Sequence, residues 1–315
     1  MTRVLLTQQA AETIGPALAA LPVTPVILDG HVDDIEVAWG SSDLFRSREA
    51  TRRFFGATTR SPTLRWVQVS GAGTDDPVFR RLLDNGVTLT TSHVTGPPIA
   101  EYVLRAVLDW FQDAEAWREA IRKRQWVDHE FREVLGSTWL VIGMGSIGWE
   151  VSLRARAFGA HVIGSRRRPA GDEPVDELIS PEQVAEVLPR ADVVVLALPA
   201  MPSTVGLVDE AFLGRMKPGS VLVNVARGSL VDEPALLAAL DRGAPAGALL
   251  DVAATEPPPG DSPLWAHPGV VLTPHSSGLG LDRHARAAAF FVENLQRYLG
   301  GEPLRNVVAA DETFA

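Results

Sequence analysis

The 315-residue sequence contains no cysteine, which excludes disulfide bonds, iron–sulfur clusters, thiolate zinc sites and cysteine nucleophiles. It also lacks long hydrophobic runs: the longest, such as residues 193–199, have the length of a strand and not the roughly 20 residues that span a bilayer. The seven histidines are scattered without metal-ligand spacing, so we expect no metal site. The apolar run within Met1–Thr7 is too short for a signal peptide. We therefore expect a cytoplasmic protein.

Positive charge is also scarce, because 29 Lys and Arg residues stand against 39 Asp and Glu residues, for a net charge of -10. This balance argues against nucleic acid or an anionic membrane as a partner. Hydrophobic residues make up 46% and charged residues 22%, as in ordinary soluble globular proteins. Single domains typically hold about 100–150 residues, so we expect two domains. Since the charge disfavours nucleic acid and membranes, we expect the ligand to be a small molecule.

Short apolar runs alternate with helical patterns along most of the chain, which is typical of α/β folds with parallel sheets. The runs after residue 138 are continuously apolar, as expected for parallel strands that are buried on both faces. The predicted strands are 4–7, 26–28, 35–39, 66–69, 87–90, 138–142, 161–164, 193–198, 221–225, 248–251 and 270–273.

Two long helical patterns, at 99–124 and 281–299, bracket the later group of strands. Each repeats apolar residues every three or four positions, which predicts one buried stripe. We therefore expect a discontinuous first domain, made of residues 1–100 and 281–315, into which residues 101–280 are inserted.

A glycine-rich loop follows the predicted strand 138–142. Gly143, Gly145 and Gly148 form the pattern G-x-G-x-x-G at the start of a predicted helix. The first glycine permits a tight turn, the second lets the backbone approach a pyrophosphate, and the third lets helix and strand pack closely. Free amides and the positive end of the helix then face the anion. The strand–turn–helix context favours a dinucleotide site over a plain glycine-rich turn.

The residues after the next strand indicate which cofactor binds. An NAD site normally places Asp or Glu there, whereas this chain has Ser165, Arg166 and Arg167. A hydroxyl and guanidinium groups can bind a ribose phosphate that a carboxylate would repel. We therefore expect NADP(H), with NAD(H) as the second option. The alternative is a solvated basic turn, in which Asp172 or Glu173 pairs with the arginines.

Three later strands end in polar residues, and ligands of such sheets bind outside the carboxyl ends of the strands. These residues are Arg227, Glu256 and His275. Each has an ordinary alternative role. Arg227 could form a structural ion pair with Asp232 or Glu233, Glu256 could lie on a solvated turn, and the histidine could be satisfied by backbone groups.

With these segments the chain resembles the D-isomer-specific 2-hydroxyacid dehydrogenase family, close to the NADPH-dependent glyoxylate/hydroxypyruvate reductases. The resemblance covers nearly the whole chain and is densest from Gly136 to Gly278. It implies two Rossmann-like domains with parallel sheets, the dinucleotide-binding domain being inserted into a flavodoxin-like substrate domain. Further segments that carry it are Ala191-Asp192, Leu198-Pro199, Thr204, Met216–Gly219, Ala226–Gly228 and Ser262–Trp265.

The resemblance also implies a role for each catalytic residue. Arg227 would bind the substrate carboxylate, His275 would donate a proton to the carbonyl oxygen, and Glu256 would orient the histidine and favour its protonated form. These roles suit the side chains, because a guanidinium matches a carboxylate and histidine works as acid and base near neutral pH. The implied cofactor contacts are Gly143, Gly145, Ser146, Ile147, Gly148, Ser165, Arg166, Arg167, Leu198, Pro199, Thr204, Val225, Ala226, Arg227, Asp251, His275 and Ser277.

A loop in the first domain resembles the family's substrate-carboxylate loop. Backbone amides of Gly71, Ala72 and Gly73 could form an anion-binding nest, and Arg227 and His275 would complete the substrate contacts. The alternative for the loop is a flexible turn. Ala253 stands where the family usually has an aromatic residue, so the size of the substrate stays open.

The expected activity is the NAD(P)H-dependent, reversible reduction of a small 2-oxoacid, such as glyoxylate or hydroxypyruvate, to the D-2-hydroxyacid. One alternative on the same fold is a formate- or phosphite-type dehydrogenase. Another is a cofactor-sensing binding protein with little turnover. Phosphoglycerate dehydrogenase is less favoured, because no regulatory domain is expected after Ala315.

The helix predicted at 99–124 carries more large apolar residues than one buried stripe requires. Trp110, Phe111, Trp117 and the following Trp126 predict that part of this surface meets a second copy in a homodimer. The alternative is internal packing against the dinucleotide domain.

Overall fold

A computed structural model describes residues 1–29, 32, 34–71, 73 and 76–309. The chain divides into two compact units, one formed by Met1–Thr95 together with the chain from Gly280 onward, the other by Gly96–Leu279. The strands are β1 (Thr2–Leu6), β2 (Val23–Ile27), β3 (Val37–Gly40), β4 (Trp66–Val69), β5 (Thr88–Thr91), β6 (Thr138–Ile142), β7 (His161–Ser165), β8 (Glu177–Ile179), β9 (Val193–Leu196), β10 (Val221–Asn224), β11 (Gly247–Leu250) and β12 (Val270–Leu272).

The α-helices of the described residues lie between these strands, except α10, which follows the last strand. None of the described helices is both long enough and apolar enough to cross a membrane. They are α1 (Gln8–Leu18), α2 (Arg48–Arg60), α3 (Pro77–Asp84), α4 (Gly96–Phe111), α5 (Ala114–Arg122), α6 (Ser146–Ala157), α7 (Val184–Val187), α8 (Glu210–Leu213), α9 (Glu233–Asp241) and α10 (Arg283–Leu299).

The first unit is built on a five-stranded parallel sheet with the order β2-β1-β3-β4-β5. This is the flavodoxin-like order. Helix α10 returns to this sheet from the far end of the sequence, where Phe291 stacks on Trp39 at 4.8 Å and on Trp66 at 5.4 Å between ring centroids. Burial of these three rings explains why residues after 280 complete the unit that residue 1 begins.

The second unit contains a seven-stranded parallel sheet with the order β12-β11-β10-β9-β6-β7-β8. If β6 is taken as the first strand, this order is the Rossmann order 3-2-1-4-5-6 with a seventh strand, β12, added at the edge. The strand order reverses between β6 and β9. The predicted α/β class with two parallel sheets is therefore confirmed. The sequence analysis missed β8, a three-residue strand at the sheet edge whose side chains are only partly buried.

The single helix predicted at 99–124 is wrong, because the structure has two helices there, α4 and α5. Asp113 takes a left-handed conformation (φ 47°) and its carboxylate caps α5 by accepting from the Ala116 amide at 3.3 Å. Phe111 is buried, and Trp110 packs so closely on the start of β11 that a Cβ at Gly247 would lie 2.4 Å from its ring. These two aromatic residues therefore follow the internal-packing alternative.

The amino end of the second sheet is held together by Asp192. Its carboxylate accepts from the Thr138 amide at 2.8 Å and pairs with Lys217 at 2.7 Å and Arg132 at 2.6 Å. Burial raises the pKa of Asp192, but the Lys217 and Thr138 hydrogen bonds and the Arg132 charge outweigh it, so the net shift is downward. The Ala191-Asp192 segment thus has a structural role at the end of the sheet opposite the glycine loop.

Candidate active site

The glycine loop lies at the point where the order of the second sheet reverses. Gly143 has φ 100°, and a Cβ there would come within 2.5 Å of the Ala197 carbonyl oxygen after β9. A Cβ at Gly148 would lie 1.9 Å from the Gly143 carbonyl oxygen. Both positions therefore require glycine, for the turn and for close packing of α6 against β6.

The start of α6 fits a pyrophosphate. Gly145 is the residue before the helix, no side chain caps this end, and a Cβ at Gly145 would meet nothing within 4 Å. The first intrahelical bond runs from the Trp149 amide to the Gly145 carbonyl. The amides of Ser146, Ile147 and Gly148 precede it and, as in any helix, have no intrahelical acceptor, which leaves them for an anion.

The segment at the end of β7 contains the ion pair that the alternative interpretation expected, and NADP(H) binding there stays a prediction. Ser165 is buried, and its carbonyl accepts from the Gly143 amide at 3.0 Å, which ties it to the glycine loop. Arg166 pairs with Glu173 at 3.0 Å and keeps about a third of its side chain exposed. Arg167 is exposed. The ion pair with Glu173 is present, while part of the Arg166 side chain stays accessible.

Glu173 closes this segment into a defined loop. Its carboxylate accepts from the Ala170 amide at 2.6 Å and the Gly171 amide at 2.9 Å, in addition to Arg166, and its side chain is only 2% exposed. The Ala170 hydrogen bond, followed by the Gly171 hydrogen bond and the Arg166 charge, lowers the pKa of Glu173 to about 2. The only sequence signal for this role was an acidic pair close to the arginines.

Glu256 and His275 come together after β11 and β12. The Nδ1 of His275 lies 2.8 Å from one carboxylate oxygen of Glu256, whose other oxygen accepts from the Ala253 amide at 3.2 Å. With its Nδ1–H donated to a carboxylate, the imidazole has Nε2 left for proton exchange. Half of the His275 side chain is exposed, so a ligand can reach the imidazole.

The His275 loop is held by the buried Asp251 at the end of β11. The carboxylate of Asp251 accepts from the Thr273 hydroxyl at 2.7 Å, from the Ser276 and Ser277 amides at 2.9 and 3.0 Å, and from the Ser277 hydroxyl. Its carbonyl accepts from the His275 amide at 2.8 Å. These bonds hold His275 in a left-handed conformation, φ 49°, that a non-glycine residue adopts at a cost.

The sequence analysis assigned Asp251 and Ser277 to the cofactor. In the structure both oxygens of Asp251 are engaged by the His275 loop, and Ser277 is buried against them. This pair therefore holds the His275 loop in place, and its contact with the cofactor stays a prediction. Their pairing was not visible in the sequence, because it depends on which loop atoms turn toward the carboxylate.

The partly buried hydroxyl of Tyr102 extends this network into α4. The Tyr102 hydroxyl lies 2.7 Å from the Thr273 hydroxyl, and since the latter donates to Asp251, the tyrosine is the donor. Burial, ahead of the nearby Asp251 charge, raises the pKa of Tyr102. Sequence periodicity marks Tyr102 only as one more helical residue, so this contact was missed.

Arg227 lies after β10, the strand next to β11. The Asn224 side chain shapes its turn by donating to the Arg227 carbonyl at 2.9 Å and accepting from the Ala226 amide at 3.0 Å. A Cβ at Gly228 would lie 1.9 Å from the carbonyl carbon of Ala253, so the Arg227 and Glu256 segments touch through these two small residues. The guanidinium also donates from Nη1 to the Ala226 carbonyl at 2.8 Å.

The acids proposed as structural partners of Arg227 have other hydrogen bonds. Asp232 caps α9 by accepting from the Ala235 amide at 3.0 Å. Glu233 accepts from the Ala254 amide at 2.7 Å and so joins the loops that follow β10 and β11.

The remaining predicted cofactor residues line the same end of the second sheet. Thr204 donates to the Pro199 carbonyl at 2.8 Å and accepts from the Met201 amide at 2.7 Å, which closes the turn after Leu198. Val225 and Ala226 are buried in the turn after β10. Leu198 adjoins the glycine loop, because a Cβ at Gly143 would lie 2.8 Å from its amide nitrogen.

The predicted substrate loop follows β4 in the first unit. Gly71 and Gly73 are described, whereas Ala72 lies outside the described residues. The start of the loop is held in place, because the Ser70 amide donates to the Gly40 carbonyl at 2.9 Å and the Ser70 carbonyl accepts from the Ser92 hydroxyl at 2.6 Å.

Within the part of the chain that the structure describes, no cluster of acids and histidines could hold a metal ion.

Comparison with known proteins decides the family. Residues 104–277 match the family described as "D-isomer specific 2-hydroxyacid dehydrogenase, NAD binding domain", and this segment is more than half of the chain. The chain belongs to the D-isomer specific 2-hydroxyacid dehydrogenases. The family resemblance stated from the sequence is therefore confirmed.

Individual dehydrogenases of this family are similar over nearly the whole chain. D-3-phosphoglycerate dehydrogenase of Mycobacterium tuberculosis is 32% identical over 311 residues, covering 90% of this chain but only 57% of that protein, so the chain spans little more than half of this relative. The dehydrogenase of Xanthobacter autotrophicus Py2, solved in complex with NADPH and MES, is 31% identical with a TM-score of 0.79 and 98% coverage of both chains. The NADPH-dependent glyoxylate/hydroxypyruvate reductase of Sinorhizobium meliloti, solved with NADP and sulfate, is 25% identical with a TM-score of 0.79 and 99% coverage of both.

Proposed function

We propose that this dehydrogenase reduces a small 2-oxoacid to the D-2-hydroxyacid with NADPH, and catalyses the reverse oxidation. The observation that carries the proposal is the 2.8 Å contact between His275 Nδ1 and Glu256 at the carboxyl end of a nucleotide-binding type of sheet. Arg227 lies on the neighbouring strand end, where it can supply the charge that a carboxylate substrate needs. Membership of the family supports the same reaction class.

The proposed mechanism assigns one step to each side chain. Arg227 binds the substrate carboxylate and polarises the adjacent carbonyl. His275 donates the proton on Nε2 to the carbonyl oxygen, while Glu256 accepts from Nδ1 and stabilises the positive imidazolium before the transfer. The nicotinamide, when bound, supplies the hydride to the carbonyl carbon. In the reverse direction Nε2 takes the hydroxyl proton.

We propose glyoxylate or hydroxypyruvate as the substrate type. The Sinorhizobium meliloti structure with this reductase name supports the choice. The loop at Gly71–Gly73 stays the proposed carboxylate contact in the first domain, residues 1–100 with 281–315. Residues 101–280 are the proposed dinucleotide domain, and the absence of cysteine agrees with the proposed cytoplasmic location.

The preference for NADPH is also a proposal. Its support is the segment Ser165–Arg167, which has hydroxyl and guanidinium groups where an NAD site normally has a carboxylate. Replacement of Arg166 by alanine should therefore weaken NADPH binding much more than NADH binding. Equal weakening of both cofactors would make Arg166 a surface charge without a role in selection.

Turnover of a histidine variant tests the catalytic assignment. The wild type should consume NADPH when glyoxylate is added, followed at the absorbance band of reduced nicotinamide. His275→Ala should lower kcat by roughly 10²–10⁴-fold, because proton transfer contributes about that much. His267→Ala is the matched control, since His267 also contacts a carboxylate at 3.3 Å, but its partner Asp241 is an exposed acid at the end of α9. Undiminished turnover in His275→Ala would refute the assigned acid.

We propose a homodimer on the basis of large apolar side chains in α5 and in the segment that follows it. Trp117 packs on His129 and Phe131 at 4.8 and 5.8 Å between ring centroids, whereas Trp126 is fully exposed. Ile121, Phe131 and Leu135 add exposed apolar surface to the same stretch. Several large exposed apolar residues in one stretch of the chain favour an interaction surface, and we propose a second copy as the partner.

A further inference from the structure

The loop after β7 contains an acid whose position bears directly on cofactor selection. Glu173 contacts Arg166, Ala170 and Gly171 at once, and its carboxylate is shielded from solvent. A carboxylate held by two backbone amides and a guanidinium has little freedom to leave. The loop is therefore shaped around one buried negative charge.

The same carboxylate offsets the charge that a ribose phosphate would meet. One guanidinium nitrogen of Arg166, Nη1, is bonded to Glu173, and about a third of the side chain remains exposed. A phosphate that approaches the exposed part meets an ion pair and not an isolated cation. Because the pKa of Glu173 is about 2, this offset is fully present at neutral pH.

We propose that Glu173 is a specificity-determining residue: it holds Arg166 and the loop in place, and its charge limits how strongly the loop favours NADPH over NADH. The inference rests on the proposed NADP(H) function of this site. It adds to that function a residue which touches the arginine and not the cofactor. Selection by this loop is then a balance between a guanidinium that attracts the phosphate and a carboxylate that repels it.

Removal of the charge with retention of the side-chain shape separates these two effects. Glu173→Gln keeps one oxygen that can accept from a loop amide but removes the negative charge. NADPH should bind about three- to tenfold more tightly, the size expected for one unit charge a few ångströms from the phosphate. NADH has no phosphate there, so its affinity should change less than about twofold. A purely structural role would instead weaken both cofactors together.

Asp172 provides a matched control. Asp172 is exposed and adjacent to Glu173 in the sequence. Asp172→Asn therefore makes the same change in net charge but leaves the Arg166–Glu173 contact intact. This variant should leave the ratio of NADPH to NADH affinity close to that of the wild type. In an Arg166→Ala background, Glu173→Gln should still raise the ratio, because the repulsion between the carboxylate and the phosphate does not require the guanidinium.

The experiment is a calorimetric titration of NADPH and of NADH into the wild type and these variants, with melting temperatures to show that each variant is folded. A raised NADPH-to-NADH ratio in Glu173→Gln alone supports the proposal. Glu173→Met, uncharged and of similar length, should raise the ratio as well and serves if the glutamine variant does not fold.

Two other outcomes distinguish a failure of the role of Glu173 from a failure of the proposed NADP(H) function. A wild type that binds NADPH, with a ratio that Glu173→Gln leaves unchanged or that Asp172→Asn raises equally, overturns the role of Glu173 alone. A wild type that binds neither cofactor overturns the proposed function, and the role of Glu173 with it.

Discussion

At the residue scale, the chemistry depends on side chains that each make two contacts. Glu256 holds both the Ala253 amide and His275, and Glu173 holds both a turn and Arg166. In Glu256 one oxygen accepts from the loop amide and the other contacts the histidine, whereas in Glu173 the oxygen that contacts Arg166 also accepts from the Ala170 amide. A change that keeps the shape but removes the charge therefore isolates the electrostatic part of the role.

Glu256→Gln is expected to lower kcat by about 10²-fold or more with a small change in KM. The glutamine can keep the bond from the Ala253 amide, but its uncharged side chain no longer stabilises the imidazolium. Steady-state rates with NADPH and glyoxylate check this. A KM rise with unchanged kcat would place Glu256 in substrate binding instead.

The acid stability of the fold should depend on Glu173. Its pKa falls from an ordinary value of 4.5 to about 2 in the folded state, so the folded state binds fewer protons than the unfolded chain between these values. The stabilisation is complete above pH 4.5 and is lost as the pH falls toward 2. Melting curves should show a midpoint for Glu173→Gln a few degrees below wild type at pH 7, roughly 2–4 °C for each kcal/mol lost. The difference should shrink below pH 4.5, and a constant difference would contradict this role.

Some functional residues can be recognised in the sequence from their type and spacing. Gly143 and Gly148 follow a known spacing, and the structure shows the close approaches that require them. Tyr102 and Glu173 could not be found in this way, because their roles depend on which atoms lie within hydrogen-bond distance. The composition of a helix or a basic turn does not encode that geometry.

At the scale of elements, the order of strands explains why distant residues meet. β10, β11 and β12 are neighbours in the sheet in the same order as in the chain, so their carboxyl ends place Arg227, Glu256 and His275 on adjacent loops. Parallel strands joined by short helices make this order predictable. The break between α4 and α5 was not predictable from periodicity, because Asp113 interrupts the helix through a left-handed backbone and not through proline or glycine.

The loop that carries His275 should depend on the hydroxyl of Thr273. Thr273→Val removes the donor to Asp251 and the acceptor for Tyr102 with almost no change in volume. We expect kcat to fall about tenfold while the affinity for NADPH changes little, since the histidine loses its fixed position.

Tyr102→Phe is the matched variant for that loop, because it removes only the outer hydroxyl and leaves the Thr273–Asp251 bond. It should lower kcat less than Thr273→Val does. Equal effects of the two, or a loss of cofactor affinity in proportion to kcat, would indicate general destabilisation of the loop.

At the scale of the whole molecule, two parallel-sheet units share one chain, and the first is completed by its last helix. The packing of Phe291 on Trp39 and Trp66 makes α10 part of the first unit's core. The two bracketing helical patterns in the sequence led us to expect a discontinuous first domain. The sequence could not predict that Trp110 packs against Gly247 while Trp126 is fully exposed, because periodicity does not encode the three-dimensional neighbours of a side chain.

Association in solution should depend on Trp126. Sedimentation equilibrium at micromolar concentration should give twice the chain mass for the wild type, and Trp126→Glu should shift the population toward the monomer by burying a charge at the interface. Leu281→Glu is the control, since Leu281 is also almost fully exposed but belongs to the other compact unit. A wild-type monomer would discard the dimer.

The configuration of the product tests the assigned reaction most directly. Hydroxypyruvate and NADPH should be incubated with the wild type, and the glycerate should be resolved by chiral chromatography. The Arg227, Glu256 and His275 arrangement in this family predicts D-glycerate, formed in equal amount to the NADPH consumed. Formation of L-glycerate, or binding of NADPH without turnover of any 2-oxoacid in a panel, would contradict it.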